Sequence, residues 1–128
     1  YRPKSKSENK WRSNTDTLQG DKQIVNPNDL VIRTSSLKDV MVLYECGYQA
    51  DAPQSETQVA KKRDNMIILY DNDEAGLYYA KQHSKLYNCP SIVLPKVNHN
   101  GKDLKDPSDF AKAFGLDYIK EFLWNWTS

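Results

Sequence analysis

An apolar run over residues 66–70, followed directly by a helical pattern, most constrains what this chain can fold into. A strand that is apolar on both faces is typical of a parallel sheet covered by helices. Residues 73–87 then carry apolar side chains at helical spacing. This pairing of strand and helix recurs along the chain. We therefore predict an α/β fold with a central parallel sheet of about four strands flanked by helices.

The other predicted elements are short and are separated by turn residues. Further strands are predicted at residues 30–32, 48–52 and 91–94. Further helices are predicted at residues 36–46, 55–63, 107–114 and 116–126. Residues 96–105 are predicted to form a polar loop.

The two parts of the chain differ in composition. Residues 1–28 are polar and lack a sustained period, whereas residues 29–128 carry the strand–helix pattern. We predict a basic N-terminal arm over residues 1–28 and one α/β domain with C-terminal helices over residues 29–128. With 18 basic and 17 acidic side chains, the net charge of +1 neither favours nor excludes a nucleic-acid partner.

Composition argues against several classes of protein. Apolar runs fall short of the roughly 18 residues that a membrane helix needs, so we expect no membrane partner. Cys46 and Cys89 are too few for a disulfide framework or a zinc ribbon. Free thiols are typical of a reducing cytoplasm. Because the chain opens on Tyr1 in a polar stretch, we expect it to be cut from a longer protein.

Two aspartates directly after the buried strand are the strongest candidates for chemistry. Asp71 and Asp73 lie two residues apart at a strand end and can direct both carboxylates at one hard cation such as Mg²⁺. An aspartate in this place can equally cap the following helix. This pair alone therefore leaves both interpretations open.

A second acidic motif, Asp106-Pro107-x-Asp109, follows the next predicted strand. Asp106 before Pro107 is a favoured helix start. The carboxyl ends of parallel strands meet at one edge of the sheet, so we expect both motifs to lie there together. Carboxylates this close repel one another unless a cation lies between them. The motifs together predict a metal site with the ligands Asp71, Asp73, Asp106 and Asp109.

These residues resemble the Toprim domain, the Mg²⁺-binding module of bacterial and phage primases, topoisomerases and some nucleases. The resemblance covers about residues 29–115 and is greatest to primases and phage primase–helicases. Residues 1–20 are similar, more loosely, to the end of the basic subdomain that precedes Toprim in phage primases. The motifs that carry it are Asp71-x-Asp73-Glu74-Ala75-Gly76, Val93-Leu94-Pro95 and Lys105-Asp106-Pro107-x-Asp109-Phe110.

The resemblance implies nucleotidyl transfer with Mg²⁺ or Mn²⁺ that makes RNA primers on single-stranded DNA. It implies Asp71 and Asp73 as catalytic residues and a cytoplasmic location in a bacterium or a phage-infected host. The implied partners are a single-stranded DNA template, nucleoside triphosphates, and further primase or helicase domains outside this chain. Two alternatives stay open: a metal-dependent nuclease of the same fold, and a nucleic-acid-binding module without catalysis.

One position departs from the family pattern. The family places a Glu just after the first strand and an Asp four residues beyond it; Asp39 matches the Asp, but Ser35 stands in place of the Glu. Serine cannot act unaided as a general base. Glu56, after the second predicted strand, is a candidate for the missing catalytic carboxylate. Alternatively, Glu56 lies in the first turn of a helix that Ser55 caps.

Candidate nucleic-acid-binding residues lie mostly in the predicted arm. Basic side chains track phosphates, and a base can stack on an aromatic ring that lies between two cations. Trp11 can equally anchor the arm to the domain. The candidates are Arg2, Lys4, Lys10, Trp11 and Arg12, together with Lys38 as a point charge beside the expected metal site.

Overall fold

The computed structural model describes residues 18–54 and 59–127, where strands and helices alternate. A 3₁₀ turn at Asp21–Gln23 comes first. The strands are β1 (Val31–Arg33), β2 (Gln49–Asp51), β3 (Met66–Ile68), β4 (Val97–His99) and β5 (Lys102–Leu104). The helices are α1 (Leu37–Glu45), α2 (Glu74–Tyr87), α3 (Pro107–Phe114) and α4 (Leu116–Thr127).

The central sheet is parallel, with the strand order β2-β1-β3. Val31 of β1 lies opposite Gln49 of β2 and Met66 of β3. A single parallel bridge between Ile68 and Ser91 extends the sheet beyond β3. The α/β fold is therefore confirmed, although the strand predicted at residues 91–94 is reduced to that bridge.

Different helices cover the two faces of the sheet. On one face α1, α3 and α4 enclose a core that contains Ile32, Phe110 and Leu123, all fully buried. On the other face α2 packs on β3, with contacts that include Ile68 and Tyr87. Burial on both faces is what the apolar run at residues 66–70 predicts. In the described part of the chain, every helix is too short or too polar to cross a membrane.

Three helices begin at capping side chains that lie near one edge of the sheet. The side chains of Ser36, Asp73 and Asp106 each accept a hydrogen bond from the main-chain N–H three residues later. A cap of this kind contributes about 1 kcal/mol. The caps place the first turns of α1, α2 and α3 where the candidate site residues lie.

The prediction of a helix over residues 55–63 is wrong for residues 59–63, the part of this segment that the structure describes. Residues 59–63 form no helix, and residues 55–58 lie outside the described residues. The main-chain N–H of Ala60 donates to the Tyr87 hydroxyl at 2.9 Å. The Lys61 carbonyl accepts from Arg33 Nη2 at 2.7 Å. Contacts with distant elements have replaced the local hydrogen bonds of a helix.

The predicted polar loop at residues 96–105 is also wrong, because this segment contains the antiparallel hairpin β4–β5. Asn100 and Gly101 at its tip both have positive φ, of 53° and 82°. Positive φ at both central residues is required by the type I′ turn that favours Asn-Gly. This dipeptide was a signal for the hairpin, although the strands beside it are polar.

Residues 18–26 pack on the edge strand β2. Leu18 is buried, and Gln19 forms an antiparallel bridge with Ala52. The Gln49 side chain accepts from the Asn26 N–H at 2.9 Å and donates to the Asn26 carbonyl at 2.9 Å. The arm boundary at residue 28 stays a prediction, and residues 1–17 lie outside the described residues.

Candidate metal centre

Three carboxylates converge beyond the carboxyl ends of β1 and β3. Oxygen atoms of Asp39, Asp71 and Asp106 lie within 4.8 Å of one another, and we call these residues the acidic triad. Asp39 comes from the first turn of α1, and Asp106 is the cap of α3. Asp71 lies between β3 and α2. Residues that are far apart in the sequence therefore meet at one edge of the sheet.

Asp39 is the buried member of the acidic triad. Its Oδ1 accepts from the Ser108 N–H at 3.0 Å, and its Oδ2 accepts from the Ser36 hydroxyl at 3.0 Å. Burial raises the pKa of Asp39 from 3.8 to about 6, and the negative charge of Asp106 adds to this effect. A nearby cation would favour its ionised form.

The position of Asp71 depends on a close approach of α2. A Cβ atom on Gly76 would lie 2.0 Å from the Asp71 carbonyl oxygen, so only glycine fits there. The Asp71 N–H donates to Ser35 Oγ at 3.3 Å. Glycine in the motif Asp71-x-Asp73-x-x-Gly76 therefore sets where the first aspartate lies. Ser35 supports the Asp71 main chain at the position where the family pattern expects a Glu.

Asn72 attaches this segment to the β4–β5 hairpin. It is only 3% exposed, and its Nδ2 donates to the carbonyls of Pro95 and Leu104, each at 3.0 Å. Its main-chain N–H donates to the Lys105 carbonyl at 2.9 Å. Sequence analysis assigned no role to Asn72, although it lies between the two predicted catalytic aspartates. A buried amide with these partners fixes the base of the hairpin beside the acidic triad.

Asp73 and Asp109 lie outside the acidic triad and have other partners. Asp73 accepts from the Gly76 N–H at 2.8 Å, and Lys105 Nζ lies 3.9 Å from its Oδ2. Asp109 accepts from the Lys105 N–H at 3.0 Å and from Lys102 Nζ at 3.2 Å. Burial acts to raise the pKa of Asp109, but these hydrogen bonds hold it below its ordinary value. Metal ligation by Asp73 and Asp109 stays a prediction.

Asp39 matches the family pattern but was not among the predicted metal ligands. Its place depends on the strand order, since β1 lies directly beside β3. The helix after β1 therefore begins next to the segment that follows β3. The match to the family's aspartate was the signal that could have placed Asp39 in the site.

Of the other predicted site residues, the structure describes Lys38 only. Lys38 is exposed in the first turn of α1, next to Asp39 in the sequence. Its role in binding phosphate stays a prediction. The remaining candidates lie outside the described residues, so their predicted roles are not tested: Glu56, Arg2, Lys4, Lys10, Trp11 and Arg12.

The chemistry of the acidic triad fits a small divalent cation. Its candidate ligand atoms are carboxylate oxygens, which suit Mg²⁺ or Mn²⁺ better than softer ions. Mg²⁺ lies about 2.1 Å from its ligand oxygens, so opposite ligands are about 4 Å apart. Oxygens within 4.8 Å of one another need only small side-chain rotations to reach that spacing.

Comparisons with known proteins agree with this fold. The profile of a family described as Toprim-like matches residues 32–111, and the resemblance to the Toprim domain is confirmed. The fold is also similar to a crystal structure of the Aquifex aeolicus primase (zinc-binding and RNA polymerase domains), with 18% identity and a TM-score of 0.63. That match covers 88% of this chain and 30% of the primase chain. A search of curated proteins found no significant match.

Proposed function

Since this chain belongs to the Toprim-like family, we propose that it is the catalytic domain of a DNA primase or primase–helicase. In this proposal it uses Mg²⁺ or Mn²⁺ to join nucleoside triphosphates into RNA primers on single-stranded DNA. This chain spans 30% of the Aquifex aeolicus primase chain that it matches. The proposal therefore includes further primase or helicase domains that contribute to template binding.

The acidic triad is the observation that carries this proposal. Three side chains of the same charge meet there, and burial raises the pKa of one of them, Asp39, to about 6. Holding like charges together is unfavourable unless a cation offsets their repulsion. The triad also lies beyond the carboxyl ends of parallel strands, where open α/β sheets bind their ligands.

Each residue of the site has a proposed role. Asp71 and Asp106 are half-buried and would provide metal-binding oxygens, while Asp39 would bind from the buried side. A divalent ion held there would neutralise triphosphate charge and orient the primer 3′-hydroxyl for in-line attack. Asp73 keeps α2 in place through its cap, and water-mediated binding to the ion is proposed for it and for Asp109.

The double variant Asp71→Asn/Asp106→Asn tests the metal site. Asparagine is as good a helix cap as aspartate, so α3 should keep its start. We expect Mn²⁺ binding in calorimetry to weaken at least tenfold, because both half-buried carboxylates of the triad are lost. The matched control, Asp64→Asn/Asp117→Asn, removes two exposed carboxylates that lie outside the triad and should bind like the parent.

Unchanged Mn²⁺ binding by the double variant would overturn the proposed metal site. Template-dependent incorporation of labelled ribonucleotides, measured on the same variants, tests the reaction itself. Cleavage of the template in place of primer synthesis would identify a nuclease. The presence of Ser35 favours a third outcome, in which the domain binds nucleic acid and metal without catalysis. In that case neither products of synthesis nor products of cleavage would form.

A further inference from the structure

Exposed lysines surround the β4–β5 hairpin. Lys96 precedes β4, Lys102 begins β5, Lys105 follows it, and Lys112 lies on α3. All four are exposed, and we call them the hairpin lysines. Sequence analysis assigned no function to any of them, and the proposed metal chemistry does not use them.

Two grooves lie along this hairpin. A groove of about 270 Å³ at its base is lined by residues that include Asp73, Lys96 and Lys105. A second groove, of about 300 Å³, lies between its tip and α3 and is lined by residues that include His99 and Lys112. Lysines and carboxylates therefore line both grooves: the first also contains Asp103, and the second also contains Lys102 and Asp109.

Hydrogen bonds hold the hairpin in a defined position. At its base, Asn72 donates to the carbonyls of Pro95 and Leu104. At its tip, the Asn98 side chain donates to Asp103 at 2.9 Å and accepts from the Gly101 N–H at 3.2 Å. The lysines are therefore presented by a structured element that is attached to the segment between Asp71 and Asp73.

Two hairpin lysines pair with carboxylates that also accept a hydrogen bond from a main-chain N–H. Lys102 Nζ lies 3.2 Å from Asp109, and Lys105 Nζ lies 3.9 Å from Asp73. Both aspartates also accept a main-chain N–H, at 3.0 Å and 2.8 Å respectively. The lysine side chains are 66% and 53% exposed, and ion pairs this exposed contribute little. Either ammonium group can therefore turn to a phosphate at small cost.

We propose that the hairpin lysines bind the phosphate backbone of a single-stranded nucleic acid and guide it past the acidic triad. Four cations spread over a hairpin and a neighbouring helix match a row of phosphates better than one compact triphosphate. Lysine binds phosphate as a point charge and does not read base identity. The inference rests on the proposed function, whose template is single-stranded DNA, and assigns a surface that binds this strand without a metal ion.

The triple variant Lys102→Gln/Lys105→Gln/Lys112→Gln tests the inference. Lys96 is left in place because its Nζ donates to the Asn72 carbonyl at 2.7 Å. Binding of a fluorescent single-stranded oligodeoxynucleotide of mixed sequence is measured by anisotropy between about 50 and 200 mM salt, with EDTA present. The matched control carries the same change at three exposed lysines of α2 and α4: Lys81→Gln/Lys85→Gln/Lys120→Gln.

We expect the triple variant to bind more weakly and its plot of log affinity against log salt to be shallower by about 2, or about 0.7 per lost phosphate contact. The control should keep the parent slope. Equal slopes for the triple variant and the control would overturn the inference. Loss of binding to metal-free ATP without loss of binding to the oligonucleotide would also overturn it, since the lysines would then serve a free nucleotide.

Two further measurements separate folding and catalysis from strand binding. Circular dichroism checks the fold, and the single variant Lys102→Gln should lower the slope by about 0.7 even if the triple variant is unstable. A Mn²⁺ titration of the triple variant should show binding at least as tight as that of the parent, because the loss of Lys102 and Lys105 removes positive charge beside Asp109 and Asp73. Absence of metal binding in the parent would overturn the proposed function, whereas an unaltered salt slope in the variants would overturn only the present inference.

Discussion

Two groups of charged side chains lie near the carboxyl ends of the central strands, and their charges are arranged differently. The acidic triad gathers carboxylates only. The second group, which we call the ion-pair network, alternates in sign through Arg33, Asp51, Arg63 and Asp21. A buried charge is stabilised by an opposite charge and destabilised by a like one. The opposite charges of the network therefore neutralise one another, whereas the like charges of the triad favour the binding of a cation.

The ion-pair network connects β1, β2 and the two flanking segments. Arg33 and Asp51 are partners in the strand register, and Arg33 Nε lies 2.7 Å from Asp51 Oδ1. Arg63 binds both Asp51 and Asp21, which begins the 3₁₀ turn. Arg33 and Asp51 are 1% and 0% exposed. This comparison indicates that the network is structural and supports the proposal that the triad binds a metal ion.

The largest expected effect is on the ion-pair network. Asp51→Asn leaves two buried guanidinium groups without their shared carboxylate, and loss of one partner of a buried pair costs about 3–5 kcal/mol. We expect a fall of that size in the free energy of unfolding, measured by urea titration. Asp106→Asn is the matched change in the acidic triad, and it should alter stability by less than about 1 kcal/mol because asparagine keeps the cap. Equal losses at both positions would contradict the comparison.

The second effect concerns pH. Asp39 has a pKa of about 6 when folded, against an ordinary value of 3.8, so the folded state binds its proton more tightly. The free energy of unfolding should therefore fall as pH rises from about 4 to about 6 and change little above that. The loss is at most about 3 kcal/mol, since one pKa unit corresponds to about 1.4 kcal/mol. Urea titrations across this pH range measure it.

Two controls identify the source of this pH dependence. Asp39→Asn removes the titrating group, so stability should become nearly independent of pH between about 4 and 6. Mg²⁺ added at pH 7 should raise the stability of the parent, because a ligand that binds only the folded state stabilises it. The same pH dependence of stability in the parent and in Asp39→Asn would show that Asp39 is not protonated preferentially in the fold, since Asp21 and Asp109, whose pKa values are lowered, titrate in both proteins.

The third expected effect on stability comes from Gly76→Ala. The added Cβ would meet the Asp71 carbonyl oxygen, and overpacking of this kind costs about 1–3 kcal/mol. Because Asp71 must move, Mn²⁺ binding should weaken by more than the loss of stability explains. Ala75→Ser, a change at the exposed neighbouring position, should leave Mn²⁺ binding unaltered. A Gly76→Ala variant with full metal affinity would show that this close approach does not position the triad.

Local patterns predicted most elements because they depend on neighbours in the sequence. Asp106 with Pro107 predicted the start of α3, and Gly115 predicted its end. The β4–β5 hairpin was missed since only one of its strand residues, Leu104, is buried, which leaves no alternating apolar pattern. The irregular segment at residues 59–63 was missed because its partners, among them Tyr87 and Arg33, lie far away in the sequence.

The sequence by itself determined the three strands of the parallel sheet and the four helices that cover it, the resemblance to Toprim, and the placement of acidic residues after buried strands. These properties depend on periodicity and spacing within a few residues. Only the tertiary structure decided which carboxylates meet. Asp39 joins the acidic triad because β1 lies beside β3, whereas Asp73 lies outside it, where its carboxylate accepts from the Gly76 N–H and lies near Lys105. Convergence of distant side chains depends on sheet order and helix packing, which no local pattern specifies.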